Sequence, residues 1–312
     1  NFGVQYRGAF YACATVEKQD AFMVCPTRFS TAAAAVPYRI MVLGATTDDP
    51  AVQALLDATG AVVVSREAPI VAEPASAAKA GKPVIVTKVG RSEAGAAAAA
   101  SHTAALAGED AVFDGVFRQY GAHRAGSIEE CLDIAYAATT AGPPRGRRAG
   151  LYTVSGGAGV LMADAASAAG LEVPELTAET QAAVRALVPF AGTRNPLDIT
   201  GQVIQMEGAF RASLAGMAAD GTCDLVVNFL SASGLSPATG PQIAADIAAV
   251  RAATPEVPHF LVTLASPEFR AVVEAAGCPI YDDPGRAVRA AAALAGLAEA
   301  FARPAPPDPV PG

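Results

Sequence analysis

Short apolar runs alternate along this chain with Ala-rich stretches that carry helix punctuation, and this alternation constrains the fold more than any other feature. Residues 38–43, 61–64 and 84–86 read as strands in the first half, and 10–16 form a further strand candidate. Residues 151–154, 225–230, 260–264 and 279–281 read as strands in the second half. Continuous apolar runs of this kind suit strands buried on both faces of a parallel sheet. Between them lie helix signals. Asp49-Pro50 starts a helix through Leu55 and Leu56, with Pro in its first turn. Residues 73–80 form a short Ala-rich helix. Val112, Phe113, Val116 and Phe117 make a one-sided stripe on another. Ser127 and Glu130 have capping-box spacing ahead of a helix that runs toward Thr140. Helices over 160–169, closed by Gly170, and over 285–302 complete the pattern. Strands alternating with helices imply an α/β fold of parallel sheets covered by helices.

A chain of 312 residues fits about two domains. Ala141-Gly142-Pro143-Pro144 ends the first set of elements, which divides the chain into 1–143 and 148–303. The stretch 304–312 is a Pro-rich linker, because Pro lacks the donor that a helix or ladder needs. The net charge of -8 disfavours nucleic acid as a partner, and the single basic run, 144–148, falls at the domain junction. Cys13, Cys25, Cys131, Cys223 and Cys278 are odd in number and share no CxxC spacing. Neither a disulfide framework nor a metal site is indicated, and a reducing cytoplasm is expected. The sequence has no run of about 18 strongly apolar residues and no signal-peptide pattern, so no membrane is expected.

Three segments carry candidate chemistry. His102 sits in a loop of very small residues, between Ser101 and Thr103, where other groups can approach closely. A neutral imidazole nitrogen there can attack a phosphoryl group, although a polar loop histidine without a task has the same local sequence. Ser155-Gly156-Gly157-Ala158-Gly159 joins a strand to a helix. Its backbone N–H groups and the helix dipole suit an anion, unless the segment is only a tight turn. The run from Asn228 to Gly234 is a second strand-to-small-loop junction able to serve instead or as well. In Arg194-Asn195-Pro196-Leu197-Asp198, Asn195 and Asp198 either border a cleft or cap their own loop. His123 and His259 read as ordinary surface or strand-edge histidines.

The blocks KPVIVTKVGRSEAG, SHTAALAG and DAVFDGVFRQYG (82–121) resemble the phosphohistidine segment of the NDP-forming acyl-CoA synthetases. That family includes ADP-forming acetate–CoA ligase and is related to succinyl-CoA synthetase. YTVSGGAGVLMADAASAAGLEVPELT, RNPLDITG and CPIYDDPGRAVRAAAALA resemble the domain that follows in those enzymes, and together the matches span about residues 78–303. The resemblance implies two flavodoxin-like (Rossmann-like), doubly wound parallel-sheet domains of succinyl-CoA-synthetase type. It implies His102 as a phosphoryl carrier and Glu67, with Glu73 in reserve, as the carboxylate that orients its second nitrogen. It implies a phosphate site at Ser155–Gly159, and a cleft beside Asn195 and Asp198. The implied reaction is carboxylate + CoA + ATP going reversibly to acyl-CoA + ADP + phosphate. ATP/ADP with Mg2+ and CoA then act as substrates through domains outside this chain, and no tightly bound cofactor is expected.

The implied partners are an ATP-grasp domain or subunit, a CoA-binding domain and a carboxylic acid; a homo-oligomer is compatible. Residues 1–77 depart from the family pattern. The family's CoA-binding domain and the first Ser-Gly-Gly loop of its phosphohistidine domain are not recognisable there, so the chain is expected to be part, or one component, of a larger ligase. A second reading is a non-catalytic acyl-CoA-binding or regulatory module, as in synthetase-like protein lysine acetyltransferases, against which SHT-x-ALAG argues. A third is a flavodoxin-like domain with an unrelated ligand. Neither the acid nor the choice of ADP or GDP has a local signature.

Overall fold

The computed structural model describes the strand backbone of residues 2–6, 9–13, 41–43 and 62–64, and residues 83–87, 91–95, 97 and 110–303. His102, Glu67, Glu73, the expected helices near 49–56 and 73–80, and the tail 304–312 lie outside the described residues. The chain divides between Leu132 and Asp133 into two compact units, the second ending at Ala302.

In the first unit, β1 (Phe2–Tyr6) and β2 (Ala9–Cys13) form an antiparallel hairpin. β3 (Met41–Leu43) pairs in parallel with β4 (Val62–Val64), and β5 (Ile85–Val86) with β6 (His123–Arg124). Of the expected apolar stripe on α1 (Asp110–Tyr120), Phe113 and Phe117 lie against Val84 and Val86, whereas Val112 is exposed. Arg124 ties β6 to the same helix through Asp114, at 2.6 Å. α2 (Ile128–Thr140) opens at the expected cap: the Ser127 hydroxyl accepts from the Glu130 N–H at 3.1 Å. The Glu130 carboxylate reaches back one residue further than a simple capping box, to the Gly126 N–H at 2.8 Å.

The second unit is one five-stranded parallel sheet of β7 (Ala149–Thr153), β8 (Leu197–Asp198), β9 (Leu225–Ser231), β10 (His259–Thr263) and β11 (Ile280–Tyr281). Across the sheet the strands run β8-β7-β9-β10-β11, every pair parallel. With these strands counted from one to five along the chain, the order is 2-1-3-4-5, the flavodoxin-like arrangement. Its helices are α3 (Gly156–Ala168), α4 (Ala178–Leu187), α5 (Ala209–Ala219), α6 (Gly240–Ala253), α7 (Pro267–Ala275) and α8 (Pro284–Ala302). α3 and α8 pack on each other, while α4, α5, α6 and α7 form a contiguous row.

The strands sort their side chains between these layers by their twofold pleat. Tyr152, Val226, Leu230 and Leu261 join Leu214, Met217, Ile247 and Phe269 in one apolar cluster with the four-helix row. The alternate residues Leu151, Val227, Phe260 and Val262 are also almost completely buried, as are the alanines of α8, including Ala287, Ala290 and Ala291. Burial on both faces explains why these strands appear in the sequence as unbroken apolar runs. The last part of α2 is locked into this unit. Asp133 takes two 2.7 Å hydrogen bonds from Arg286, and the Tyr281 hydroxyl donates to the Asp133 carbonyl at 3.0 Å.

Candidate functional site

In a sheet of this order, the neighbours β7 and β9 send their following connections to opposite sides, so a crevice opens outside their carboxyl ends. Two segments of small residues occupy that position, the one after β7 and the one after β9.

The segment after β7 does not form the free-standing turn expected at 155–159. Ser155 is the N-cap, and α3 begins at Gly156, four residues earlier than the apolar pattern indicates. Ser155 closes on its own strand: its N–H donates to the Thr153 hydroxyl at 2.9 Å, and that hydroxyl donates to the Ser155 carbonyl at 2.8 Å. The Ser155 side chain caps nothing, whereas Thr177 and Ser266 cap α4 and α7 by accepting from the third backbone N–H onward. Among the described residues, no group accepts from the N–H groups of Gly156, Gly157 or Ala158. Three donors at a helix start, with the positive end of the dipole behind them, form an anion-binding arrangement. Ser155, Gly156 and Gly157 are exposed, and a Cβ on Gly157 would meet nothing within 4 Å. Gly159 is closely packed instead, since its Cβ would lie 3.2 Å from Thr153 and 3.3 Å from Pro196.

The segment after β9 is fastened down. Ser231 adopts a left-handed φ of 54°, and its carbonyl accepts from the Leu264 N–H and from the Thr263 hydroxyl, both at 2.9 Å. The Gly234 N–H donates to the same hydroxyl at 3.3 Å, and the Gly234 carbonyl accepts from Ser266 at 2.9 Å. A Cβ at Gly234 would stand 2.7 Å from the Leu264 carbonyl oxygen, so only glycine fits. The Ser231 carbonyl and both backbone groups of Gly234 are thus held by β10 and the residues just after it.

Asn195 and Asp198 have separate tasks. Asn195 stands where a longer β8 would pair with β7: its amide oxygen accepts from the Leu151 N–H at 2.9 Å, and its NH2 donates to the Ala149 and Pro174 carbonyls at 2.8 Å each. The side chain therefore finishes the backbone ladder, and the bond to Pro196 that follows it is cis. Asp198 lies at the carboxyl end of β8. One carboxylate oxygen accepts from the Thr200 N–H at 2.9 Å, and the other would lie 3.0 Å from a Cβ on Gly156. Of the two cleft candidates, Asp198 is the one whose side chain flanks the start of α3.

His259, expected at a surface or strand edge, is fully buried on β10 with neither ring nitrogen partnered among the described residues. Burial, aided by Arg251, pulls its pKa down to about 3, so the ring is neutral. Nearby Arg251 also bears on the buried Cys278, whose thiol burial pushes up to about 12. His123 is partly exposed; burial lowers its pKa despite Glu130, 3.9 Å away. Among the described residues, no group of three or more His, Cys, Asp or Glu side chains is placed to hold a metal ion, and no helix is long and apolar enough to cross a membrane.

Family models match residues 65–138 as a succinyl-CoA ligase-like flavodoxin domain and 150–258 as a Ligase-CoA domain. Together these matches cover more than half of the chain. It belongs to the succinyl-CoA-ligase-like, ADP-forming acyl-CoA synthetase family. Among curated relatives, the chain is 43% identical over 136 residues to acetate–CoA ligase [ADP-forming] I subunit alpha of Pyrococcus furiosus, covering 43% of this chain and 29% of that protein. It is 32% identical over 218 residues to the corresponding subunit II alpha, covering 68% of this chain and 47% of that one. Among solved structures it is similar to a Ca. Korarchaeum cryptofilum acetyl-coenzyme A synthetase 1 in complex with phosphate and ADP. That match has a TM-score of 0.63 at 28% identity and covers 73% of this chain and 50% of the other. The chain thus spans about half or less of the length of these relatives.

Sequence reasoning overlooked the surface beside Asp198. Phe190, Thr200, Gly201 and Gln202 line an open depression of about 620 Å³ at the carboxyl end of β8. The only local signal was the glycine that closes the RNPLDITG block.

Proposed function

We propose that this chain is the central phosphotransfer component of an NDP-forming acyl-CoA synthetase, organised as two flavodoxin-like domains over 1–143 and 148–303 with a linker at 304–312. The carrying observation is the start of α3: three backbone donors without an acceptor, at the switch point of a sheet inside a Ligase-CoA domain. Relatives named as ADP-forming ligase alpha subunits support the same reading.

In this reading, a ring nitrogen of His102 attacks the γ-phosphorus of ATP held, with Mg2+, by an ATP-grasp partner. A P–N bond forms, the β–γ bridge breaks and ADP leaves. Glu67 accepts the N–H of the other ring nitrogen and keeps the attacking nitrogen unprotonated. The phosphohistidine then meets the N–H groups of Gly156, Gly157 and Ala158, which hold the phosphoryl oxygens as the acid's carboxylate attacks phosphorus and His102 leaves. CoA, supplied by its own domain, attacks the acyl phosphate through sulfur and releases phosphate. The setting is cytoplasmic, where ATP and reduced CoA are available.

The test is to incubate the complete enzyme, with its partner domains, with γ-labelled ATP. Acid-labile, alkali-stable label is expected on the wild type and absent from His102→Ala, together with ligase activity. A His102→Ala enzyme that keeps both label and activity overturns the proposal.

A further inference from the structure

A Ser or Thr just ahead of a helix normally turns its hydroxyl onto the first free N–H groups. Thr177 and Ser266 do so, with φ of -58° and -67° and ψ of 151° and 160°. Ser155 stands in the same position ahead of α3 with φ -149° and ψ 119°, and its hydroxyl has no partner among the described residues. Thr239, ahead of α6, is also uncapped, but its hydroxyl is bonded to Ser236 at 2.9 Å. What sets Ser155 apart is Thr153, whose single hydroxyl holds both backbone groups of Ser155: it accepts from the N–H at 2.9 Å and donates to the carbonyl at 2.8 Å. A change of φ turns that N–H and carbonyl relative to each other, so both cannot stay on one hydroxyl. Thr153 cannot follow such a turn. It is fully buried at the end of β7, paired with β8 and β9, and its carbonyl accepts from the Ile199 N–H at 3.0 Å. Its methyl group lies against the first turn of α3, 3.2 Å from where Gly159 would carry a Cβ.

We propose that Thr153 is a positioning residue: by holding Ser155, it prevents that residue from capping α3 and so keeps the donors of the helix free for a phosphoryl group. The inference rests on the synthetase reading above and names the residue that keeps its anion site open. The competitor for the site is then the chain itself. The Thr177 and Ser266 hydroxyls each accept from the N–H three residues onward, at 3.2 Å. The equivalent donor for Ser155 is the Ala158 N–H, one of the three that lack an acceptor. A capping hydroxyl there would have to be displaced by each incoming phosphate, because a short polar side chain competes for the same backbone donors.

Thr153→Val keeps the shape of the side chain and removes the hydroxyl. Titration of the chain with inorganic phosphate, followed at the amide resonances of Gly157 and Ala158, should show affinity about 5-fold weaker in this variant, the scale of one helix cap. Thr153→Ser retains the hydroxyl and should bind within about 2-fold of wild type. The deciding variant is Thr153→Val combined with Ser155→Ala, which has no side chain left to cap with and should bind phosphate more tightly than Thr153→Val alone. A purely structural role for Thr153 predicts no such recovery. Wild-type affinity in Thr153→Val, or a loss that the second substitution does not relieve, overturns the inference and leaves the anion site of α3 standing. A wild-type chain that binds no phosphate at these amides counts against the synthetase reading instead, and amide exchange without any ligand then decides the inference. Exchange of the Ala158 N–H should slow about 5-fold in Thr153→Val and return to the wild-type rate in the double variant. Equal exchange in wild type and Thr153→Val overturns the inference.

Discussion

Strands β7 and β9 are neighbours, and their two ends are finished differently. At the amino ends, Arg148 and Asp224 clamp the pair: Nη2 and Nε of Arg148 donate to the two carboxylate oxygens at 2.7 and 3.0 Å, and the Arg148 N–H adds a third bond at 3.0 Å. Burial pushes the Asp224 pKa up, but the bonds from Arg148 outweigh it and hold the carboxyl below its ordinary value. Further along the same edge, His259 and Cys278 are buried beside Arg251. At the carboxyl ends, Gly156 and Gly157 at the start of α3 are exposed and their N–H groups have no acceptor among the described residues. The charged clamp stands at one end of the sheet and the uncapped start of α3 at the other. An uncapped, exposed helix start of small residues at the switch point of the sheet marks that spot as the binding end.

The largest effect that would break this contrast is functional. Gly157→Val in the complete synthetase should lower phosphotransfer by about 100-fold or more, the scale of losing a preorganised donor, through steric exclusion of the phosphoryl group. Its melting temperature should stay within about 2 °C, because the new side chain enters open space. Equal loss of stability and activity would make the segment a plain structural turn.

Asp224→Ala should do the reverse. Removing the acceptor of three hydrogen bonds from Arg148 should cost about 2–3 kcal/mol of stability, read by urea unfolding, with turnover per folded molecule little changed. A loss of turnover without a loss of stability would erase the distinction between the two ends.

The smallest effect at neutral pH concerns His259. Its folded pKa, about 3, lies below the unfolded value of 6.5, so the unfolded chain binds the extra proton between them. The contribution of the neutral ring is fully present above about pH 6.5 and is lost as pH falls toward 3, at up to about 1.4 kcal/mol per pH unit. His259→Asn should flatten that slope in chemical unfolding measured from pH 7 to pH 4. An unchanged slope would show that the buried ring is not the titrating group.

These contrasts were legible in the sequence only in part. The runs at 225–230 and 260–264 announced β9 and β10, because burial on both faces leaves an unbroken apolar stretch. β8 was hidden: it has two residues and sits in a segment whose Asn-Pro reads as a turn. The ladder role of Asn195 was hidden with it, since that role exists only because β8 is short. Ser155–Gly159 and Asn228–Gly234 looked equivalent as strand-to-small-loop junctions. What separates them is Thr263, a residue about 30 positions away from the second and on another strand, and such long-range pairings leave no local trace. His259 misled because it stands just ahead of the apolar run 260–264, whereas β10 and its burial begin one residue earlier, at the histidine itself.

The central claim is that the start of α3, and not the loop after β9, is the anion site. Amide resonances of the chain followed during titration with inorganic phosphate test it directly. The account predicts saturable shifts at Gly156, Gly157 and Ala158, with Gly234, whose N–H is already held by Thr263, unmoved. Shifts at Gly234 with Gly156, Gly157 and Ala158 unmoved would contradict it.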